Sequence, residues 1–353
     1  MKPTRLCLKT SLLLASLPSA LVHADGATSH DMIDVATETL MRAASSLQQV
    51  QSPAQRAPRQ FLLESSTASD PNSLYVQYGA NDLSRDASAV VDEFTQRSEV
   101  AFTGGEYRLS PQWTGGLRYG RTEQTLQFEN SHDELKHEGN AASLYAQWFK
   151  NGFTATGLLG YAKGRLQVDR QLNNISDNNS GNESNIASGK ADTRQRYASI
   201  AGQYAFRKGG WIYGPFSRYD ASESTIGEYT ETSEGLETNR DSQDINTRIF
   251  SMGVHAAYVF NSSAGTLTPF VSLMTRRELA QHHETIVKVQ DSSATSMVMQ
   301  APLDDRWEEL SLGMTLALQK QLLITTSLER SLDLDQQRDE TLFVRADWIL
   351  QGI

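Results

Sequence analysis

The sequence predicts an all-β fold, a twelve-stranded antiparallel transmembrane β-barrel with an N-terminal amphipathic helix. Three observations predict it. Apolar residues recur with a period of two from about residue 73 to the end. The polar connections between these segments alternate between short and long. Tryptophans and phenylalanines collect beside the short connections. A mean hydropathy of −0.46 does not oppose this reading. Only half of each barrel strand faces lipid, and polar loops dilute the average further. A helical membrane protein is excluded, because the single apolar run near membrane-helix length lies within the first 24 residues.

That first run reads as a secretory signal over residues 1–24. Lys2, Arg5 and Lys9 precede the apolar stretch from Ser11 to Leu21, and Val22-His23-Ala24 places small residues where signal peptidase cleaves. Cleavage would remove Cys7, the one cysteine, so the mature chain would form neither an internal disulfide nor a thiolate metal site. It would also remove three cations and no acid. That leaves 29 Lys+Arg against 42 Asp+Glu, a net charge of −13. An acidic chain without Lys/Arg clusters in sequence does not bind nucleic acid.

Residues 25–71 hold the helix and a linker. From Asp31 to Val50 the set Ile33, Ala36, Leu40, Ala43, Ala44, Leu47 and Val50 recurs at three- and four-residue spacing, with Ser29 as cap. Such a helix is about 30 Å long, which matches the membrane thickness. It is expected either to plug the barrel lumen or to lie on the periplasmic side. Pro53, Pro58 and Pro71 punctuate the linker, which carries a short apolar patch at Phe61-Leu62-Leu63.

The barrel is expected over residues 72–353. Alternation is plain in Leu310, Leu312, Met314, Leu316 and Leu318 against Ser311, Gly313, Thr315 and Gln319. It recurs in Ala142-Leu144-Ala146-Trp148 and in Phe250-Met252-Val254-Ala256-Tyr258-Phe260. Twelve such segments start near Ser73, Ser98, Gln112, Asn140, Gly152, Thr193, Gly210, Asn246, Gly265, Trp307, Gln321 and Glu340. Short turns fall at Ser110-Pro111, Lys150-Asn151, Arg207-Lys208-Gly209, Asn261-Ser262-Ser263 and Lys320-Gln321. Long polar loops fall near residues 82–96, 123–138, 169–192, 221–244, 281–304 and 331–338. A soluble β-sandwich alternates too, but it does not require an even strand number with strictly alternating connections, as an outer-membrane barrel does. Trp113, Trp148, Trp211 and Trp348, with Phe149, Phe153, Phe206 and Phe260, would form the girdle at the short-turn, periplasmic end. With an even strand count both barrel ends would be periplasmic and the long loops extracellular.

Certain motifs resemble a known family. Gly104-Gly105-Glu106-Tyr107-Arg108-Leu109-Ser110 is followed by Gly116-Leu117-Arg118-Tyr119-Gly120. Then come Ser143-Leu144-Tyr145-Ala146-Gln147-Trp148, Gly209-Gly210-Trp211-Ile212-Tyr213-Gly214-Pro215-Phe216 and Leu267-Thr268-Pro269-Phe270. In order and spacing this set resembles the translocator β-domains of autotransporters, the twelve-stranded barrels of type V secretion. The resemblance implies an outer-membrane protein whose barrel helps an N-terminal passenger reach the surface. It also implies outer-membrane lipid and the barrel-assembly machinery as partners. Two departures stand out. The 47 residues from 25 to 71 leave room for little or no passenger, and the last strand ends Trp348-Ile349-Leu350-Gln351-Gly352-Ile353 without the family's terminal aromatic.

Polar residues opposite the apolar set should line the lumen: Arg118, Gln147, Gln203, Arg218, His255, Glu329, Arg345 and Asp347. They would stand within reach of Asp31, Asp34, Glu38 or Arg42 on a plugging helix. No G-x-S-x-G, H-E-x-x-H or P-loop pattern occurs, and no catalytic, cofactor or metal residue is expected. His132-Asp133 and His282-His283-Glu284 fall in expected outer loops and read as solvated side chains. The Asn- and Ser-rich stretch from Asn173 to Asn185 reads as a hydrated surface loop. The expected function is that of a translocator-like or pore-like surface protein, not an enzyme. The alternatives are a surface adhesion or assembly module binding an unidentified surface ligand through its loops and, after that, an outer-membrane hydrolase acting through His132 or His283.

Overall fold

Alternating side chains and an unbroken hydrogen-bond ladder close the chain into a barrel in the computed structural model. It describes residues 72–87, 93–129, 131, 133–172, 185–233, 236–279, 306–318, 321–332 and 337–350. The signal, the Asp31 helix, the linker, His132, His282, His283 and most of the Asn173 loop lie outside these residues. The strands are β1 (Asn72–Arg85), β2 (Phe94–Arg108), β3 (Trp113–Phe128), β4 (Glu134–Lys150), β5 (Phe153–Leu172) and β6 (Asn185–Tyr204). Then follow β7 (Phe206–Lys208), β8 (Trp211–Ile226), β9 (Tyr229–Ser233), β10 (Leu236–Arg240), β11 (Gln243–Tyr258) and β12 (Phe260–Ser262). The last are β13 (Gly265–Glu278), β14 (Arg306–Leu318), β15 (Leu322–Leu332) and β16 (Gln337–Leu350). Twelve of these are long. Each pairs antiparallel with its neighbours, and β1 closes the ring on β16 from Asn72↔Leu350 to Arg85↔Gln337. Closure leaves no open edge among the twelve long strands, as lipid requires.

The four short strands have local causes. β7 and β12 continue β6 and β11 in the same register, with Phe206 opposite Tyr213 and Phe260 opposite Leu267. The gaps fall beside Pro215 and Pro269, which have no N–H to donate to the ladder. There the N–H groups of Ala205 and Val259 bond to the carbonyls of Gly152 and Gly210 on the other side, both at 2.9 Å. β9 and β10 form a hairpin within the connection from β8 to β11.

The short turns fall where the sequence places them. Asn151 and Gly152 have φ of 53° and 82°, the pair of positive values that a two-residue turn matching strand twist needs. The aromatic ring at this end is denser than expected. Trp113 faces Trp148, Trp211 meets Tyr258 at 5.0 Å, and Tyr258 meets Phe260 at 4.6 Å. Tyr204, Phe206 and Tyr213 extend it. Phe149 is the exception: it lies on the opposite phase and is half-buried.

Most of the long loops are shorter than expected, because the strands run past their apolar segments; the connection expected at 281–304 instead spans 279–305. The connection expected at 123–138 shrinks to residues 129–133, and that at 169–192 to 173–184. β5 and β6 are 20 residues each, about twice what a tilted strand needs to cross a membrane. Along the exposed face the chemistry switches. On β5, Leu159 and Tyr161 give way to Lys163 and Arg165; on β3, Leu117 and Tyr119 give way to Arg121 and Glu123. On β4, Leu144 gives way to Glu138 and Lys136. Phe153 to Lys163 measures about 33 Å of strand, or about 25 Å of height at a 40° tilt, the apolar band of an outer-membrane barrel.

The inner face switches in the opposite sense. Over β3 to β5 it is polar toward the turns, with Arg118, Ser143 and Thr156 buried, and becomes apolar toward the loops, whereas on β8, β11 and β13 Ile212, Ala257 and Phe270 make an apolar cluster at the turn end. Leu83, Phe94, Leu126, Phe128, Leu135, Leu166, Val168, Ala191, Ile226 and Ile245 form one buried cluster, with Tyr229 of the hairpin packed against it. The expectation of a small or polar inner face along whole strands is therefore corrected. Beyond the bilayer the wall meets water outside, so its polar face turns outward and its apolar face inward, as in a soluble sheet.

Inward glycines let this wall hold large rings. Tyr75, Tyr145 and Tyr197 lie directly across from Gly104, Gly116 and Gly160 on neighbouring strands. A Cβ at any of the three would overlap the facing ring. Phe102 over Gly120 and Phe270 over Gly313 repeat the arrangement. Each ring shields backbone that a glycine leaves bare. Gly160→Val should therefore destabilise the barrel by about 1–3 kcal/mol through overpacking, measured by urea unfolding in liposomes. Gly157→Val, at a position with nothing near its Cβ, should cost far less.

Candidate functional site

The lumen wall contains three groups of paired charges. The most connected sits near the turn end, where β1 is flanked by β2 and β16. Arg345 of β16 donates from Nη2 to Glu106 Oε1 of β2 at 3.0 Å and, from Nε and Nη2, to the Asp347 carboxylate at 2.6–3.0 Å. Its guanidinium lies 3.6 Å above the ring of Tyr75 on the intervening strand. The Tyr145 hydroxyl donates to Glu106 at 2.7 Å. One planar cation thus meets two carboxylates and an aromatic face, the combination for which a guanidinium is suited and an ammonium is not.

A second group follows around the wall. Arg218 bonds to Asp220 on β8 at 2.6 Å, and Arg276 of β13 bonds to Glu309 of β14 at 2.8 Å. Glu329 of β15 lies across from Ser311 of β14, and Asn81 donates to Asp339 and to Thr341 across the β1–β16 seam. The third group is at the loop end. Glu231 of the hairpin receives Arg170 at 2.5 Å and Arg240 at 3.1 Å, all three largely buried, which fastens the hairpin to β5.

All eight residues expected at the lumen occupy the inner phase of their strands. Arg118, Gln203, Arg218, His255, Arg345 and Asp347 are buried, and Gln147 and Glu329 are half-buried. Arg345 and Asp347 share the first group, and Arg218 and Glu329 belong to the second. Arg118 pairs with Ser143 at 2.7 Å and lies 4.6 Å from the Phe102 ring. Glu106, Tyr75, Asp220, Arg276 and Glu309 join the site without having been singled out from sequence. Glu106 could have been found from its phase, opposite exposed Tyr107; its partner Arg345 is 239 residues away and becomes adjacent only on closure.

A further strip of the wall is polar but unsatisfied. His255, at both ring nitrogens, and the hydroxyls of Ser251, Thr268 and Ser272 are buried on β11 and β13 without a hydrogen-bond partner among the described residues. His255 and Ser272 face each other across the ladder. Buried polar atoms are normally paired with protein or water, so this strip has capacity for water or a polar guest. Among the described residues no group of three or more His, Cys, Asp or Glu could hold a metal ion. Asp133 is occupied structurally, accepting the N–H of Gln171 at 2.7 Å.

The comparisons with known proteins agree with this architecture. The family model of the autotransporter beta-domain matches residues 74–329. The translocator domain of the autotransporter NalP from Neisseria meningitidis aligns with a TM-score of 0.64 at 12% identity, covering 92% of this chain and 99% of that one. The beta domain of the Bordetella autotransporter BrkA aligns at 0.60 and 14% identity, covering 80% and 100%. The transport unit of AIDA-I from Escherichia coli aligns at 0.55 and 12%, covering 90% and 98%. No curated protein sequence matches. The three structures share the barrel fold, and the family match extends over most of the sequence. The chain belongs to the autotransporter β-domain family of bacterial outer-membrane barrels.

Proposed function

We propose that the protein is a translocator-like pore of the outer membrane, with its long loops outside and both barrel ends in the periplasm. Its work is conduction or threading of the short segment before the barrel, with no catalytic step. The unpaired polar strip of Ser251, His255, Thr268 and Ser272 carries this reading, because it would accept hydrogen bonds from water or from a polar chain in transit. The paired charges of the wall keep the lumen hydrated without leaving an isolated buried ion. The apolar cluster at the loop end would act as the narrow, water-excluding part of the path.

Residues 25–71 would occupy the lumen in the resting protein. Planar-bilayer conductance of the refolded barrel with and without these residues tests this. The full chain should conduct weakly, and the shortened chain should open large steps. Large steps from both forms would remove the plug, and none from either would remove the pore.

A further inference from the structure

A cationic patch stands on the outer wall immediately above the apolar band, on β3 to β6. Five cations, Arg121, Lys136, Lys163, Arg165 and Lys190, and two acids, Glu138 and Asp192, line an open depression of about 840 Å³. The acids are already engaged. Arg121 pairs with Glu123 at 2.8 Å and Glu138 at 2.9 Å, and Arg165 approaches Asp192 at 3.9 Å. Lys136 pairs at 2.6 Å with Glu134, which lies outside the depression's lining.

What remains is a surplus of positive charge. Lys163 and Lys190 have no ion pair among the described residues, and neither has Arg194 beside them. Lys163 lies directly across the β5–β6 ladder from Arg194, both exposed. Like charges in that position repel and weaken a sheet. This chain has a net charge of −10, so an uncompensated cationic patch is not a consequence of its composition.

Height decides what the patch would meet. Lys163 is two residues above exposed Tyr161, about 7 Å along the strand, and Leu159 and Ile200 below are more than half exposed. An amphiphile bound here would place its anionic head among Lys163, Arg194 and Lys190 and its chains along Leu159, Tyr161 and Ile200. Phosphate oxygens suit such a mixture of guanidinium and ammonium donors. We infer that β4 to β6 carry a site for the phosphorylated headgroup of a membrane lipid. The inference rests on the reading that the apolar band meets lipid.

The test uses the refolded full-length protein in phosphatidylcholine nanodiscs doped with lipid A, a bisphosphorylated glycolipid, followed by detergent extraction and native mass spectrometry. Wild type should retain lipid A. The double variant Lys163→Ala/Arg194→Ala should retain about twenty-five-fold less, at roughly fivefold per cation. Arg248→Ala/Arg277→Ala, which removes exposed cations from the outer face of β11 and β13, should retain it unchanged. Equal retention by the Lys163/Arg194 double variant, or equal retention of dephosphorylated lipid A, would overturn the site. Displacement by inorganic phosphate alone would overturn the assignment to a lipid. Wild-type protein that inserts and retains nothing would overturn the site alone, whereas failure to insert would overturn the reading beneath it.

Discussion

Arg345→Ala is expected to cost about 3–5 kcal/mol of barrel stability, the largest single effect of any lumen substitution. Removing the guanidinium leaves Glu106 and Asp347, two buried carboxylates, without the cation they share, while the Tyr145 hydroxyl still donates to Glu106. The penalty comes from the uncompensated charges more than from the lost attraction. Arg345→Ala combined with Glu106→Gln and Asp347→Asn should therefore recover much of the loss. Arg345→Lys should fall between, because an ammonium keeps the charge but loses the two-pronged contact and the stacking on Tyr75. Urea unfolding of the four proteins in liposomes gives the comparison. Equal stability of Arg345→Ala and wild type would show that lumen water already screens this cluster.

Leu159→Arg is expected to cost about 2–4 kcal/mol, although Leu159 is 65% exposed. In a water-soluble sheet, replacing an exposed leucine by arginine is close to neutral. Here the side chain faces hydrocarbon near the middle of the band, and the guanidinium must be dehydrated or dragged toward an interface. The same replacement at Lys163, one boundary higher, should be neutral. The contrast between two positions four residues apart on one strand isolates the solvent, since backbone pairing and inner packing are shared.

The barrel was legible in the sequence because lipid imposes an uninterrupted rule. Over Leu310 to Leu318 every second residue had to be apolar, and the short turns at Lys150-Asn151 and Ser110-Pro111 fixed where strands reverse. Strand starts on that side agree with the structure to within one residue, as at Gln112 against Trp113 and Gly152 against Phe153. On the loop side they are late, as at Thr193 against Asn185 and Asn140 against Glu134. Alternation persists there with its polarity inverted, so Lys136-His137-Glu138 and Ser188-Gly189-Lys190 resemble loop when outward apolar residues are the criterion. The inner cluster of Leu126, Leu135 and Leu166 belongs to strands for the same reason that Leu117, Leu144 and Leu159 do, on the other face.

The site was legible as a phase and not as a constellation. Period two assigns Arg118, Arg218, Arg345 and Asp347 to the inside. It does not say that Glu106 and Arg345 meet, because that contact depends on ring closure and on the stagger of β2 and β16 about β1. The glycine pairings were hidden likewise. Gly116 and Gly160 look like weak points within strands until Tyr145 and Tyr197 are placed opposite them.

The central claim is that the barrel wall over β3 to β5 changes its two faces in opposite senses at the bilayer surface. A spin-label scan along β5, comparing collisions with oxygen and with a water-soluble nickel chelate, measures it directly. Labels at Ala155, Gly157, Leu159 and Tyr161 should favour oxygen, and labels at Lys163, Arg165 and Gln167 should favour the chelate, with the crossover between Tyr161 and Lys163. Labels at Leu166 and Val168 should be reached by neither. A uniform preference for the chelate along the whole outer face, or a crossover near Asp169, would contradict the account.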